Sequence, residues 1–152
     1  MEKRKDLLVA ALENGTVIDH IPTAKTFDVV NLLCLSQETS PVTIGINYPS
    51  TKVGEKGIIK ISDRFFSDAE ISRLSVVAPN VVLSIIHDFE VVEKKTVVTP
   101  DELRGIVRCN NPKCITNNEP MSTVFNVVDK TRGILRCHYC DKEQDMDKVE
   151  LL

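Results

Sequence analysis

In roughly the first hundred residues, apolar positions fall in short runs spaced as in strands, interrupted by two segments spaced as in helices. Val42 to Tyr48 alternates and stops at Pro49; Ile58 to Ile61 follows through the glycine-containing loop 49–57, so these two runs are expected to pair. Leu7 to Leu12 and Thr16 to Ile21 flank Glu13-Asn14-Gly15, and Asn-Gly between β-rich runs predicts a hairpin. Val81 to Ile86 and Phe89 to Val98 complete the β-rich set. Thr23 to Leu35, after Pro22, predicts a helix. A second begins at Ser67-Asp68-Ala69-Glu70, a capping-box pattern, and carries Ile71, Leu74 and Ala78 at helical spacing up to Pro79. The fold class expected is α+β: an N-terminal antiparallel sheet with both helices on one face. Pro100-Asp101-Glu102 reads as a linker, dividing the chain into domains 1–99 and 100–152.

The cysteines sharpen this division. Cys34 stands alone in an apolar stretch and reads as a small buried hydrophobe. Cys109, Cys114, Cys137 and Cys140 form CxxxxC and CxxC pairs 22 residues apart, the spacing of a structural zinc site. A segment of about 45 residues buries too little apolar surface to offset its chain entropy, and a metal staple supplies what is missing. Four thiolates fill a tetrahedron, leaving no open position for catalysis and no role for His138 as a ligand. Arg104-Gly105-Ile106-Val107-Arg108-Cys109 is nearly repeated by Arg132-Gly133-Ile134-Leu135-Arg136-Cys137, so each cysteine pair is entered by the same β-type segment. With the period-2 run around Thr123, Phe125 and Val127 and a turn over Asp129 to Gly133, this predicts a small antiparallel zinc-ribbon-like domain.

Composition removes several classes of function. With 42% hydrophobic and 27% charged residues the chain is ordinary globular material, and its net charge of −3 gives no broad positive field for nucleic acid. From Arg108 onward seven basic residues balance seven acidic ones, and Phe125 and Tyr139 are too few for a base-stacking platform. A nucleic-acid-binding ribbon is therefore disfavoured against a protein-docking one. No apolar run reaches the length of a membrane span, and Leu7 to Leu12 is too short for a secretory core. A cytoplasmic protein with no membrane partner is expected, in which reduced cysteines favour metal over disulfides. Dinucleotide, P-loop and nucleophile-elbow motifs are absent, so the known catalytic motifs point to no particular activity.

Polar groups set into the strands are the candidate chemistry of the first domain. Asp19 and His20 interrupt Val17-Ile18-Asp19-His20-Ile21, and strict alternation would point them to opposite faces. Lys56, Ile58 and Lys60 share one face. Solvated lysines fit this pattern; so does a site for a polyanion such as a triphosphate, with Lys94 on a neighbouring strand as a third charge.

These residues resemble the regulatory chains of aspartate carbamoyltransferases over nearly the whole length. The resemblance rests on Gly15-Thr16-Val17-Ile18-Asp19-His20-Ile21-Pro22, Ile44-Gly45-Ile46-Asn47, Lys56 to Ile61, Phe89-Glu90-Val91-Val92 with Lys94, and the four cysteines. It implies an N-terminal allosteric domain for CTP and ATP, with UTP in some members, and a C-terminal domain with one structural zinc ion that docks onto the catalytic chain. It implies no catalytic residues in this chain, self-dimerisation through the N-terminal domain, and assembly of three regulatory dimers with two catalytic trimers. The nucleotide site it implies consists of Val9, Ala11, Leu12, Val17, Asp19, His20, Lys56, Ile58, Lys60, Ile86, Val91 and Lys94. Lys94 and His20 would meet the phosphates, and Lys60 with backbone near Leu12 would read base and ribose. Ala10, Ser84 and Phe89 depart from an acidic residue, an asparagine and a tyrosine in better-known members. Asn111 and Asp141 match positions of contact with the catalytic chain, while Lys113 replaces an amide.

Overall fold

A computed structural model describes residues 11–51 and 53–152, which form two compact units, the first ending at Val98 and the second beginning at Thr99. Five strands build the first unit: β1 (Gly15–Pro22), β2 (Val42–Ser50), β3 (Gly54–Ser62), β4 (Val82–His87) and β5 (Glu90–Thr96). Their order in the sheet is β2-β3-β1-β4-β5, and every neighbouring pair is antiparallel. Helix α1 (Thr26–Leu32) joins β1 to β2 and helix α2 (Asp68–Val77) joins β3 to β4, a split β-α-β arrangement.

Alternation along the strands sorts the two faces. Ile18, Ile59, Ile61 and Leu83 are fully buried, and they pack with Val29, Val30 and Leu33 of the first helical segment and Leu74 and Ala78 of the second. That face is the core. Gly57 lets α1 approach: a Cβ there would lie 2.0 Å from Oγ1 of Thr26, itself fully buried. The opposite face, carrying Val17, Lys56, Ile58, Lys60 and Ser84, receives no helix among the described residues.

Local chemistry sets the helix ends. Ser67 Oγ accepts the Glu70 N–H at 3.2 Å and Glu70 Oε1 accepts the Ser67 N–H at 3.2 Å, the reciprocal box foreseen from SxxE. Arg64 ties this box to the rest: Nη2 binds Glu70 at 2.9 Å, Nη1 binds Glu38 and the Leu33 carbonyl at 3.1 Å each, and the guanidinium lies 4.8 Å from the Phe66 ring centre.

Several expectations need correction. The helix expected over Thr23 to Leu35 is a 3-10 turn (Thr23–Lys25), the seven-residue α1 and a second 3-10 turn (Leu35–Gln37). The break falls at Cys34, whose left-handed backbone (φ 54°) sends its side chain to solvent between buried Leu33 and Leu35, so Cys34 is not a core residue. Of the strand expected over Leu7 to Leu12, residues 7–10 lie outside the described residues, and Ala11 and Leu12 are not in a strand. The hairpin around Asn14-Gly15 does not form, because β3 and β4 already occupy both edges of β1. Phe89 belongs to a turn rather than a strand, and Glu102 of the expected linker opens β6.

In the second unit, β6 (Glu102–Arg104), β8 (Val124–Asp129), β9 (Ile134–Cys137) and β10 (Glu143–Asp145) form an antiparallel sheet in the order β10-β9-β8-β6. Two short strands, β7 (Val107–Arg108) and β11 (Glu150–Leu151), pair separately. Both glycines of the repeated Arg-Gly-Ile motif are left-handed, Gly105 at φ 65° and Gly133 at φ 69°. Leu103, Phe125 and Leu135 are fully buried, and among the described residues of this unit they are its largest buried side chains.

Ser67→Ala should cost about 1 kcal/mol, read by thermal unfolding of the full chain. Burial pushes the Glu70 carboxyl up, but the Ser67 N–H and the Arg64 guanidinium outweigh it and hold it below its ordinary 4.5. A depressed carboxylate stabilises above its unfolded value and loses that contribution as pH falls through the folded one. The stability gap between the native chain and Glu70→Gln should therefore be full near neutral pH and close as pH drops below about 4.5.

Candidate functional site

The helix-free face of the first sheet holds a cavity of about 930 Å³, within the size range of small-molecule sites. One row of paired residues crosses its floor: Lys60 faces Val17, Val17 faces Ser84, and Ser84 faces Lys94. At about 4.8 Å per strand, the backbones of Lys60 and Lys94 stand roughly 14 Å apart with an apolar residue and a hydroxyl between them.

Three breaks in strand alternation aim further side chains into the same space. In β1 the register slips between Ile18 and Ile21, and His20 turns left-handed at φ 60°. Asp19 and His20 thus both line the cavity, although period-2 spacing put them on opposite faces. In β2 the slip lies between Gly45 and Tyr48, with Asn47 at φ 67°, and it brings Tyr48 opposite Lys56. The Tyr48 ring folds back over Gly45, where a Cβ would lie 2.5 Å from its Cε2. Between β4 and β5 the slip leaves Lys94 opposite Ser84 and Val91 opposite Ile86. Val91 and Lys94, an odd number of residues apart, therefore share the cavity face.

The electrostatics are cationic and uneven. Asp19 binds Lys56 through both carboxylate oxygens, Oδ1 at 3.0 Å and Oδ2 at 3.3 Å, and also accepts the His20 backbone N–H at 2.6 Å. Lys56 is thereby taken up, whereas Lys94 has no ion pair among the described residues. Val17, Ile58, Ile86 and Val91 supply the apolar walls.

Of the twelve residues expected at a ligand site, Val9 lies outside the described residues. The other eleven, Ala11, Leu12, Val17, Asp19, His20, Lys56, Ile58, Lys60, Ile86, Val91 and Lys94, all line this cavity. Ser84 and Phe89, singled out as departures, line it too. Tyr48, Pro49 and Val82 were missed. Parity with Ser84 could have found Val82, but Tyr48 and Pro49 depend on a bulge that no pattern announces.

The second unit gathers Cys109, Cys114, Cys137 and Cys140, whose sulfurs all lie within 4.8 Å of one another. Cys109 and Cys140 are 3.6 Å apart and Cys114 and Cys137 3.7 Å. Tetrahedral metal–thiolate bonds of about 2.3 Å require sulfur–sulfur edges of roughly 3.8 Å, so the four positions fit one ion. Tight loops support them: the Cys137 N–H donates to the Lys142 carbonyl at 2.9 Å, Asp141 turns left-handed and returns its N–H to the Cys137 carbonyl, and Thr116 donates to Cys114 Sγ at 3.2 Å. In the same Cys109–Cys114 knuckle as Thr116, the Asn117 amide bridges the carbonyls of Cys109 and Asn111. Burial pushes the Cys109 thiol up to about 12. Burial also opposes ionisation of Cys140, but the Lys142 N–H and the Asn111 side chain outweigh it and lower that thiol to about 7. One bound cation would favour the thiolate at all four positions. His138 is exposed.

Residues 7–98 match the family model described as aspartate carbamoyltransferase regulatory chain, allosteric domain, and residues 101–150 match that of the metal binding domain of the same chain. The aspartate carbamoyltransferase regulatory chain of Phocaeicola vulgatus is 65% identical over 99% of this chain and 97% of its own length. That of Bacteroides fragilis is 60% identical over 99% of both. The Pyrococcus abyssi chain of the same name is 42% identical over 95% of this chain and 96% of its own. With both family models and full-length relatives agreeing, this chain belongs to the aspartate carbamoyltransferase regulatory chains.

Proposed function

We propose that this chain is a non-catalytic subunit that binds CTP and ATP, with UTP a third ligand, in the cavity of residues 1–99, and transmits feedback control of pyrimidine synthesis to the catalytic chain of aspartate carbamoyltransferase in the cytoplasm. The observation that carries this reading is the convergence of Lys60, Lys94 and His20 with Val17, Ile58 and Ile86 on one cavity. Cations suit a triphosphate and the aliphatic walls suit a base and ribose. Effectors of opposite action can share one pocket only if each has a different affinity for two quaternary states, a coupling of typically about 1–3 kcal/mol.

Residues 100–152 would hold one zinc ion on Cys109, Cys114, Cys137 and Cys140 and dock the catalytic chain, with Asn111 and Asp141 at the contact. Zinc is the ion chosen because it accepts four thiolates tetrahedrally and has no redox chemistry. Dimerisation through residues 1–99 has a candidate surface in edge strand β2, where Ile44 and Ile46 remain 39% and 38% exposed. Three such dimers would join two catalytic trimers. No nucleic-acid or membrane partner is proposed: the metal-binding unit is charge-balanced, and no helix among the described residues is long and apolar enough to cross a membrane.

Calorimetric titration of the full chain should show saturable heat with CTP and with ATP, each displacing the other. Lys94→Ala should weaken CTP about 10- to 100-fold, the loss expected of a charge-assisted hydrogen bond. Absence of heat for the native chain would falsify the nucleotide reading. For the second unit, Cys114→Ser should abolish co-elution with the catalytic trimer in gel filtration while amide NMR signals of residues 11–98 persist. Removing the ion with a chelator should do the same, since structural zinc contributes about 10–16 kcal/mol to folding of small modules. Retained co-elution counts against this assignment.

A further inference from the structure

The β4–β5 connection is a two-residue turn, Asp88-Phe89, between the paired residues His87 and Glu90. Both are left-handed, at φ 52° and 66°, the geometry of a type I′ turn. Asp suits the first position; the second ordinarily takes glycine, and a phenylalanine there is strained. Phe89 is also 65% exposed, yet it is among the residues that line the cavity. A side chain that is both strained and exposed gains nothing for folding by being there. It points to a ligand.

The turn is held from outside the hairpin. The Asp88 N–H donates to Asn14 Oδ1 at 3.2 Å and the Phe89 N–H donates to the Glu13 carbonyl at 2.9 Å. Asn14 is itself anchored, its own carbonyl accepting the Asp63 N–H at 2.9 Å. Directly before this clamp, Ala11 and Leu12 line the same cavity. We infer that Asn14 is a positioning residue: its side-chain carbonyl, together with the Glu13 carbonyl, holds the Asp88-Phe89 turn left-handed and so presents the Phe89 ring as an apolar plate for the ligand's nucleobase. The inference rests on the nucleotide reading and deepens it. The proposed phosphate contacts, His20 on β1 and Lys94 on β5, stand away from the turn and are expected to be unaffected.

The experiment titrates the full chain with CTP and, separately, with inorganic tripolyphosphate, which has charge but no base. Asn14→Ala should weaken CTP about 3- to 10-fold, one hydrogen bond's worth, and leave tripolyphosphate unchanged. Asn14→Asp keeps the acceptor oxygen; its added charge weakens both probes alike, so the ratio of the two affinities stays at the native value. Phe89→Gly removes the plate and relaxes the turn: it should raise the melting temperature yet weaken CTP about 10-fold, and adding Asn14→Ala to it should bring no further loss. This variant carries the test even if Asn14→Ala does not fold. Equal weakening of both probes by Asn14→Ala, or native CTP affinity in Phe89→Gly, overturns this inference alone. A native chain that binds tripolyphosphate but not CTP overturns the nucleotide reading and this inference together.

Discussion

Strand β1 is hydrogen-bonded along both edges, to β3 on one side and β4 on the other, and the rest of the first unit takes its register from it. Because Ile18 must enter the core beneath the helices, Val17 and Asp19 must face away, and neighbours paired to them inherit the same choice. Lys60 and Ser84 fall in one row for this reason, and the slip between β4 and β5 adds Lys94 to it. A one-residue slip of β1 would turn Val17 and Asp19 into the core and Ile18 out of it, at a cost no local gain could offset.

Within that frame, the cavity is made by departures from regularity. His20, Asn47 and Phe89 all have positive φ without being glycine, and each lies in or beside the cavity lining. Two sit at bulges and one in a turn. The strain of each is small against the packing of Ile18, Ile59, Ile61 and Leu83, which hold the sheet whatever the rim does. A rigid buried face thus allows an irregular open one, and the irregular face has the diversity of side chains that binding requires.

The second unit solves a different problem. Its fully buried large side chains are Leu103, Phe125 and Leu135, too few to hold some fifty residues. Four cysteines at metal-binding separation make up the shortfall, and the knuckle loops leave Asn111, Lys113 and Tyr139 at the surface around them. A metal-centred core of this kind can be small because its cross-link needs little apolar area.

Much of this was legible before any coordinates. The SxxE cap, the pairing of Val42 to Tyr48 with Ile58 to Ile61, and the two cysteine pairs are short-range signals, each set by a handful of neighbouring residues, and each appears where expected. Resemblance to a family supplied the list of cavity residues, which spacing alone could not assemble. Period and propensity misread the Asp19-His20 pair, the helix through Cys34 and the Asn14-Gly15 hairpin, and missed Tyr48 in the cavity lining. All four depend on contacts distant in sequence: whether an edge of β1 is still open, where a bulge relieves a mismatch between strands, and which residue turns left-handed to let a buried neighbour reach the core. Local sequence determined most of the elements and the polar side chains they carry, whereas tertiary pairing decided which side chains share a face, because side-chain direction in a sheet is a property of register and register belongs to the whole sheet.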